Sequence, residues 1–278
     1  MSSGLAVYRF AGVALAGGKT DKTAVAVIDY YKDQSRIFLR SLRDRIRSEG
    51  EVSADLALHR MLTEEELSLH SIAFDVPLQL PKCIRCELKC PGFEKCRQPE
   101  IKWMWNNYHS MVRKKKPHKL FTPYTERCSE LHIASELEEP FHPSHALGAN
   151  AAPLAARAHF IRRRLPKKLP THECYPKLSV WRIGRALKIS KAHLRLHRNS
   201  VGGEEARQAI LNALIEEGIA FIYQQDLRQM IECNQPFEAF ISALTLFLHF
   251  RGQCQKPPPS FPKGERWIIF PKESIQWF

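Results

Sequence analysis

Three runs within the first 42 residues set the tightest limit on the fold. Residues 6–16 (AVYRFAGVALA) form a largely apolar run that leads into Gly17-Gly18. Residues 23–31 (TAVAVIDYY) are β-branched and aromatic, and residues 35–42 (SRIFLRSL) alternate apolar with polar positions. This patterning, with short polar turns between the runs, predicts three strands in an antiparallel meander. An amphipathic stretch follows from Ser53 to Leu69, with Leu56, Leu58, Met61, Leu62 and Leu67 near helical spacing. Residues 71–77 (SIAFDVP) then read as a short buried strand with an acid near its end. A helix between strands is the crossover that lays a fourth strand parallel to an earlier one.

The pattern breaks over residues 78–170, which hold a cysteine cluster, basic runs at 113–116 and 162–168, and a Pro/His-rich segment from Pro140 to Pro153. Residues 171–175 (THECY) read as a fifth strand closed by Pro176. Helical spacing returns at 177–188 and 204–217 and is strongest over Pro236–Arg251 (PFEAFISALTLFLHFR). A turn-rich linker then leads to a short apolar strand at 266–271. The fold class expected is α/β: a mixed sheet of three antiparallel strands, a helix and parallel strands, with helices on both faces. The core would be residues 1–80 and 171–278, and residues 81–170 an inserted zinc-knuckle and basic helical segment.

Hydrophobic residues make up 44% of the 278, enough for a buried core and too many for wholesale disorder. Lys and Arg number 42 against 29 Asp and Glu, a formal charge of +13. That excess favours polyanions, by steering and by release of counterions, although a solvated basic surface has the same composition. Charge alone does not separate DNA from RNA, or either from an anionic membrane. No apolar run approaches the roughly 20 residues of a membrane-spanning helix. No basic segment followed by an apolar one and a cleavage site opens the chain. The expectation is a cytoplasmic protein without a membrane partner.

Four of the eight cysteines fall at Cys83, Cys86, Cys90 and Cys96. Four thiolates within one short segment can close a tetrahedral site around Zn²⁺, and Pro91-Gly92 suits the tight knuckle between the last two. A [4Fe–4S] cluster is the rival occupant, though the spacing differs from the bacterial ferredoxin run. With four cysteine ligands no position stays open, so the metal would be structural and would fold an insert too small to hold itself together. Trp103, Trp105 and Tyr108 follow, near Lys102 and the run Arg113, Lys114, Lys115 and Lys116. Aromatic rings beside cations stack bases and hold phosphates, and they also pack beneath metal knuckles. At 124–130 (YTERCSE) a helix is expected. Arg127 there is suited to clamping a phosphate, and Glu126 or Glu130 to approaching a metal, while an Arg127–Glu130 ion pair is the structural alternative.

Three acids lie in apolar surroundings, where a carboxylate is costly unless paired, hydrogen-bonded or metal-bound. Asp75 ends the fourth strand, Glu173 lies in the fifth, and Glu238 opens the last helix. Convergent carboxylates are what two divalent ions need to cleave a phosphodiester. The structural alternatives are a turn cap for Asp75 and a first-turn helix acid for Glu238.

The segments GVALAGGKTDKTAVAV at 12–27, AFDVPLQLP at 73–81, YTERCSELH at 124–132, ECYPKLSVWRIG at 173–184 and FEAFISALTLFL at 237–248 occur in this order across most of the chain. In that order they resemble a bacterial and archaeal family of RNase H-like nucleases of unknown function. The last segment is similar to the C-terminal helix of RuvC-type resolvases. The resemblance implies an RNase H-like core, Mg²⁺ or Mn²⁺, and a metal-bound water attacking DNA or RNA, with Asp75, Glu173, Glu238 and Glu126 as site acids. It also implies an aspartate within the first strand, where this chain has Ala14, and an aspartate where it has Glu238. Ala14 cannot ligate a metal. Either an inactivating Asp→Ala change stands at this position, the reading preferred because the rest of the motif is kept, or the chain is a natural pseudo-nuclease. Phosphate and base contacts would come from Arg127, Lys114, Lys115, Lys116, Trp105 and Tyr108. The competing functions are a nucleic-acid-binding or scaffolding protein without the reaction, and an iron–sulfur redox regulator.

Overall fold

The computed structural model describes residues 6–17, 22–116, 119–136, 141, 143, 146–148 and 151–278. Strands β1 (Val7–Ala14), β2 (Ala24–Tyr31) and β3 (Arg36–Arg43) form an antiparallel meander, in which Gly12 faces Ala26 and Tyr30 faces Ile37. Helix α1 (Ala54–Leu62) crosses over, and β4 (Ser71–Phe74) then runs parallel to β1. The Ser53 hydroxyl caps α1 by accepting the Leu56 N–H. The helix stops at Leu62, short of the Leu69 that its apolar spacing suggests. Glu64, Glu65 and Glu66 follow, and acids are unfavourable at the negative end of a helix. The Thr63 hydroxyl donates back to the His59 carbonyl at 2.8 Å.

Strand β5 (Thr171–Cys174) pairs parallel with β4. Two-residue strands β6 (Ala220–Phe221) and β7 (Ile268–Ile269) complete a seven-stranded mixed sheet in the order β6-β3-β2-β1-β4-β5-β7. β6, which runs parallel to β3, is too short to show a period in the sequence. The remaining helices are α2 (Lys82–Arg85), α3 (Pro99–Arg113), α4 (Cys128–Glu136), α5 (Ala152–Arg164), α6 (Pro176–Ala186), α7 (Lys191–Leu196), α8 (Gly203–Glu216), α9 (Gln224–Glu232) and α10 (Asn234–Phe250). No helix among the described residues is long and apolar enough to cross a membrane.

The chain divides into two compact units. One comprises Met1–Asp75, Phe160–Gln255 and Ile269–Phe278; the other comprises Val76–His159 and Lys256–Ile268. The second unit therefore takes in residues 256–268, which sequence order alone assigns to the core. Its own core is Ile101, Met104, Phe121 and Cys128, with Cys83, Phe93, Cys96, Trp103, Trp105, Tyr108, Leu131 and Phe261 against it.

In the first unit α10 is the central helix, buried continuously from Pro236 to Leu248. Phe237, Phe240 and Phe247 are wholly buried, each contributing about 1.5–3 kcal/mol relative to exposure. The ring of Phe247 meets Tyr30 of β2 and Phe10 of β1. Next along β1, Gly12 lets the two backbones touch: a Cβ there would lie 2.0 Å from the Ala239 carbonyl oxygen and 2.4 Å from the Ala243 nitrogen. No side-chain rotation relieves a clash with backbone, so the helix would have to move. We expect Gly12→Ala to cost about 3 kcal/mol, measured as a lower urea midpoint in equilibrium unfolding. An unchanged midpoint would mean that α10 does not rest on β1.

Candidate functional site

Strands β1 and β4 run parallel and end together, and their register defines a row of positions. Gly12 is paired with Ala73 and Val13 with Phe74, so the next step sets Ala14 beside Asp75. Two hydrogen bonds stitch Asp75 to β1 on either side of Ala14. Its N–H donates to the Val13 carbonyl at 3.2 Å, and its Oδ1 accepts the Leu15 N–H at 2.9 Å. Side chains alternate along a strand, so Ala14 and Asp75 share the face of Gly12, against which α10 packs. Along α10, Phe247 lies against Phe10, and Ser242 and Ala243 against Gly12. One more step in the same direction brings the turn that carries Glu238 over Ala14.

Electrostatics couple the two acids. Burial pushes Asp75 up from 3.8 to about 7, and the charge of Glu238 adds to the shift, against the Leu15 hydrogen bond and Arg198. Glu238 goes the other way. Burial would raise it, but Arg198 and His197 outweigh that and hold its carboxyl below the usual range. Arg198 Nε donates to Glu238 Oε1 in a close contact, and His197 Nε2 lies 3.6 Å from the same oxygen. The site therefore sets a glutamate matched by an arginine next to an aspartate whose proton affinity is raised. Neighbouring acids pushed apart in this way can hold and exchange a proton. Burial also raises the phenol of Tyr175, which feels both Arg198 and Glu238.

Glu173 is placed differently. It pairs with Phe74, and the alternation of β5 turns it to the face opposite Asp75. The neighbouring Cys174 takes the α10 face, where its thiol donates to the Ser242 hydroxyl at 3.1 Å. The row across the strand ends is thus Ala14, Asp75 and Cys174. Burial pushes the Cys174 thiol far above its ordinary value, so it stays protonated.

The second unit contains the other expected site residues. Arg127 is 1% exposed, and its guanidinium is taken by Glu130, at 2.7 Å from Nη2 and 2.8 Å from Nε. Glu130 also accepts the backbone N–H of Arg127 at 2.9 Å and of Ala146 at 3.1 Å. This is the ion-pair alternative for Arg127 rather than a phosphate clamp facing solvent. Two more buried acids lie near it. Glu100 is 3.7 Å from Lys82 Nζ, and Glu265 is raised by burial to about 7, against the charges of Arg127 and Arg85. Glu126 accepts the Thr122 N–H. Trp105 stacks on Phe93 and donates to its carbonyl at 3.2 Å, and Tyr108 packs against the same core, so both rings serve the interior. Lys114 and Lys115 are exposed at the end of α3, and Lys116 reaches the Ser135 carbonyl at 3.1 Å.

Cys83, Cys86, Cys90 and Cys96 line one cavity of about 470 Å³. The turn between the last two uses Gly92 at φ +85°, a left-handed conformation in which a side chain would be strained. Burial and then the neighbouring thiols Cys96, Cys90 and Cys86 raise Cys83. A cation among these sulfurs would reverse that effect. Among the described residues, however, no group of three or more His, Cys, Asp or Glu side chains is arranged to hold a metal ion, here or around Asp75.

His197, Arg198 and Tyr175 escaped the sequence reading. The available signal was charge: from Cys174 to Gly203 the chain has Lys177, Arg182, Arg185, Lys188, Lys191, Arg195 and Arg198 but no acid. Comparison with protein-family models, with curated proteins and with solved structures gives no match.

Asp75 makes a pH-dependent contribution to stability. A carboxyl that holds its proton more tightly when folded stabilises fully below pH 3.8, and that contribution is lost as pH rises through about 7. Asp75→Asn keeps the oxygen that accepts the Leu15 N–H and has no charge to bury. We expect it to melt at a higher temperature than the parent above pH 7, with the advantage shrinking toward pH 4. An advantage independent of pH would mean that Asp75 is ionised throughout.

Proposed function

We propose that the chain has the framework of an RNase H-like nuclease acting on the phosphodiester backbone of DNA or RNA, with its metal site incomplete at Ala14. The observation that carries this reading is the row Ala14–Asp75 beneath Glu238, at the shared end of two parallel strands. An antiparallel meander, a crossover helix and further parallel strands form the arrangement that the resemblance implies. The net charge of +13 suits a polyanionic substrate.

Mg²⁺ or Mn²⁺, when bound to such a site, activates water and stabilises the leaving oxygen. The residues present do not fit that pair of ions. Ala14 offers a methyl group, Glu238 is already matched by Arg198, and Glu173 faces away. The chain's own groups also engage the two acids: Arg198 pairs with Glu238, and Asp75 Oδ1 accepts the Leu15 N–H. That observation favours a second reading, a nucleic-acid-binding or scaffolding protein that keeps the fold without the reaction.

The deciding experiment measures cleavage of labelled single- and double-stranded DNA and RNA, with Mg²⁺ or Mn²⁺, by this chain and by Ala14→Asp. The nuclease reading expects cutting by Ala14→Asp alone, abolished by chelator. Salt-dependent binding by both chains with no cutting by either would move the assignment to the second reading.

Cys83, Cys86, Cys90 and Cys96 line one cavity without being gathered into a metal-holding group, and a structural Zn²⁺ would draw their four sulfurs together as its ligands. We expect the purified protein to be colourless and to contain one zinc per chain by elemental analysis. A brown protein with iron and sulfide in place of zinc would assign the cysteines to an iron–sulfur cluster and favour redox regulation.

A further inference from the structure

The acid-free stretch between Cys174 and Gly203 folds into α6 and α7, and its charges end up on a surface. Arg185, Lys188, Lys191, Arg195 and Arg198 are exposed, whereas Arg182 is buried and paired with Glu273 at 3.0 Å. The mounting is rigid. A Cβ on Gly184 would lie 2.1 Å from Leu194 Cδ2, so α7 presses directly on α6. Lys191 and Arg195, one helical turn apart, both lie over the ring of Trp181, each 5.8 Å from its centre. Like charges brought this close repel one another, and the repulsion is relieved when a polyanion covers them. The same segment continues to Arg198, the residue that touches Glu238. Glu204 and Glu205, at the start of α8, are the first acids beyond it.

We propose that this α6–α7 surface, through Arg185, Lys188, Lys191 and Arg195, holds the sugar–phosphate backbone of a nucleic acid and leads it to the Asp75–Glu238 site. The proposal rests on the nucleic-acid reading above, and it moves the backbone contacts from Lys114, Lys115 and Lys116, which follow α3, to the unit that carries the acids. Phosphate contacts are spread along a backbone, and several exposed cations on one helix pair and its connection can meet more than one.

The test measures binding of labelled single- and double-stranded DNA and RNA as a function of salt. Four proteins are compared: the full chain, a Lys188→Gln/Lys191→Gln/Arg195→Gln variant, an Arg185→Gln/Lys188→Gln variant that leaves the Trp181 stack intact, and a Lys114→Gln/Lys115→Gln control. The two α6–α7 variants are expected to bind more weakly, with the slope of log K against log salt shallower by about 0.9 for each cation removed from a duplex contact. The control should bind as the full chain does. If the control loses binding and both α6–α7 variants keep it, the surface is wrong while the nucleic-acid reading stands. If the full chain binds none of the four nucleic acids, both fall. The double variant keeps the test valid if removing cations over Trp181 unfolds the triple one, and preference among the four probes distinguishes DNA from RNA.

Discussion

The contact of α10 with β1 at Gly12 is the constraint on which the rest of the first unit depends. A helix seated on a strand with backbone against backbone cannot slide or rotate without collision. That seating fixes which α10 residues lie over which strand positions. Phe247 covers Phe10, Ser242 covers Gly12, and Glu238 reaches the end of the row where Asp75 waits. The electrostatic coupling of Asp75 with Glu238 follows from this packing. A carboxylate on a helix less firmly held would turn to water instead of raising its neighbour's proton affinity.

The two units handle buried charge differently. Around Asp75 and Glu238 an arginine offsets one acid, while burial and the other acid raise the proton affinity of Asp75. In the second unit Arg127 and Glu130 satisfy each other with several hydrogen bonds, and Glu265 nearby is raised by burial. A buried pair stabilises only when its hydrogen-bonding capacity is met, and Glu130 meets it with two backbone amides as well as the guanidinium.

The meander, the crossover and the parallel fourth strand were legible in the sequence, because each strand carries a clear apolar run and the helix a clear stripe. The end of α1 was not, because Leu67 continues the stripe past the point where three glutamates make a helix unfavourable. The meeting of Asp75 with the end of β1 and with α10 was foreshadowed by acids embedded in apolar runs. The facing of Glu173 was hidden, since a single-residue step decides which side of a sheet a side chain takes, and only the pairing with Phe74 reveals that step. The Arg127–Glu130 pair was legible as the three-residue-spaced alternative, but its burial was not, since that depends on the Ala146 amide, which no local period places there. The cysteines share one cavity because their spacing is short, with α2 carrying the first and the turn at Gly92 lying between the last two.

The make-up of the second unit has a consequence for biosynthesis. Residues 256–268 belong to it, and Gln79 joins that segment to the start of the unit: its side chain donates to the Gly264 carbonyl at 3.0 Å and accepts the Arg266 N–H. On a growing chain these partners are made 185 and 187 residues apart. The unit that begins at Val76 closes only once residues 256–268 have been made, after most of the sheet and all of α10. Until then Cys83, Cys86, Cys90 and Cys96 stand on an unfinished scaffold, so the order of translation makes completion of this unit a late step of its assembly.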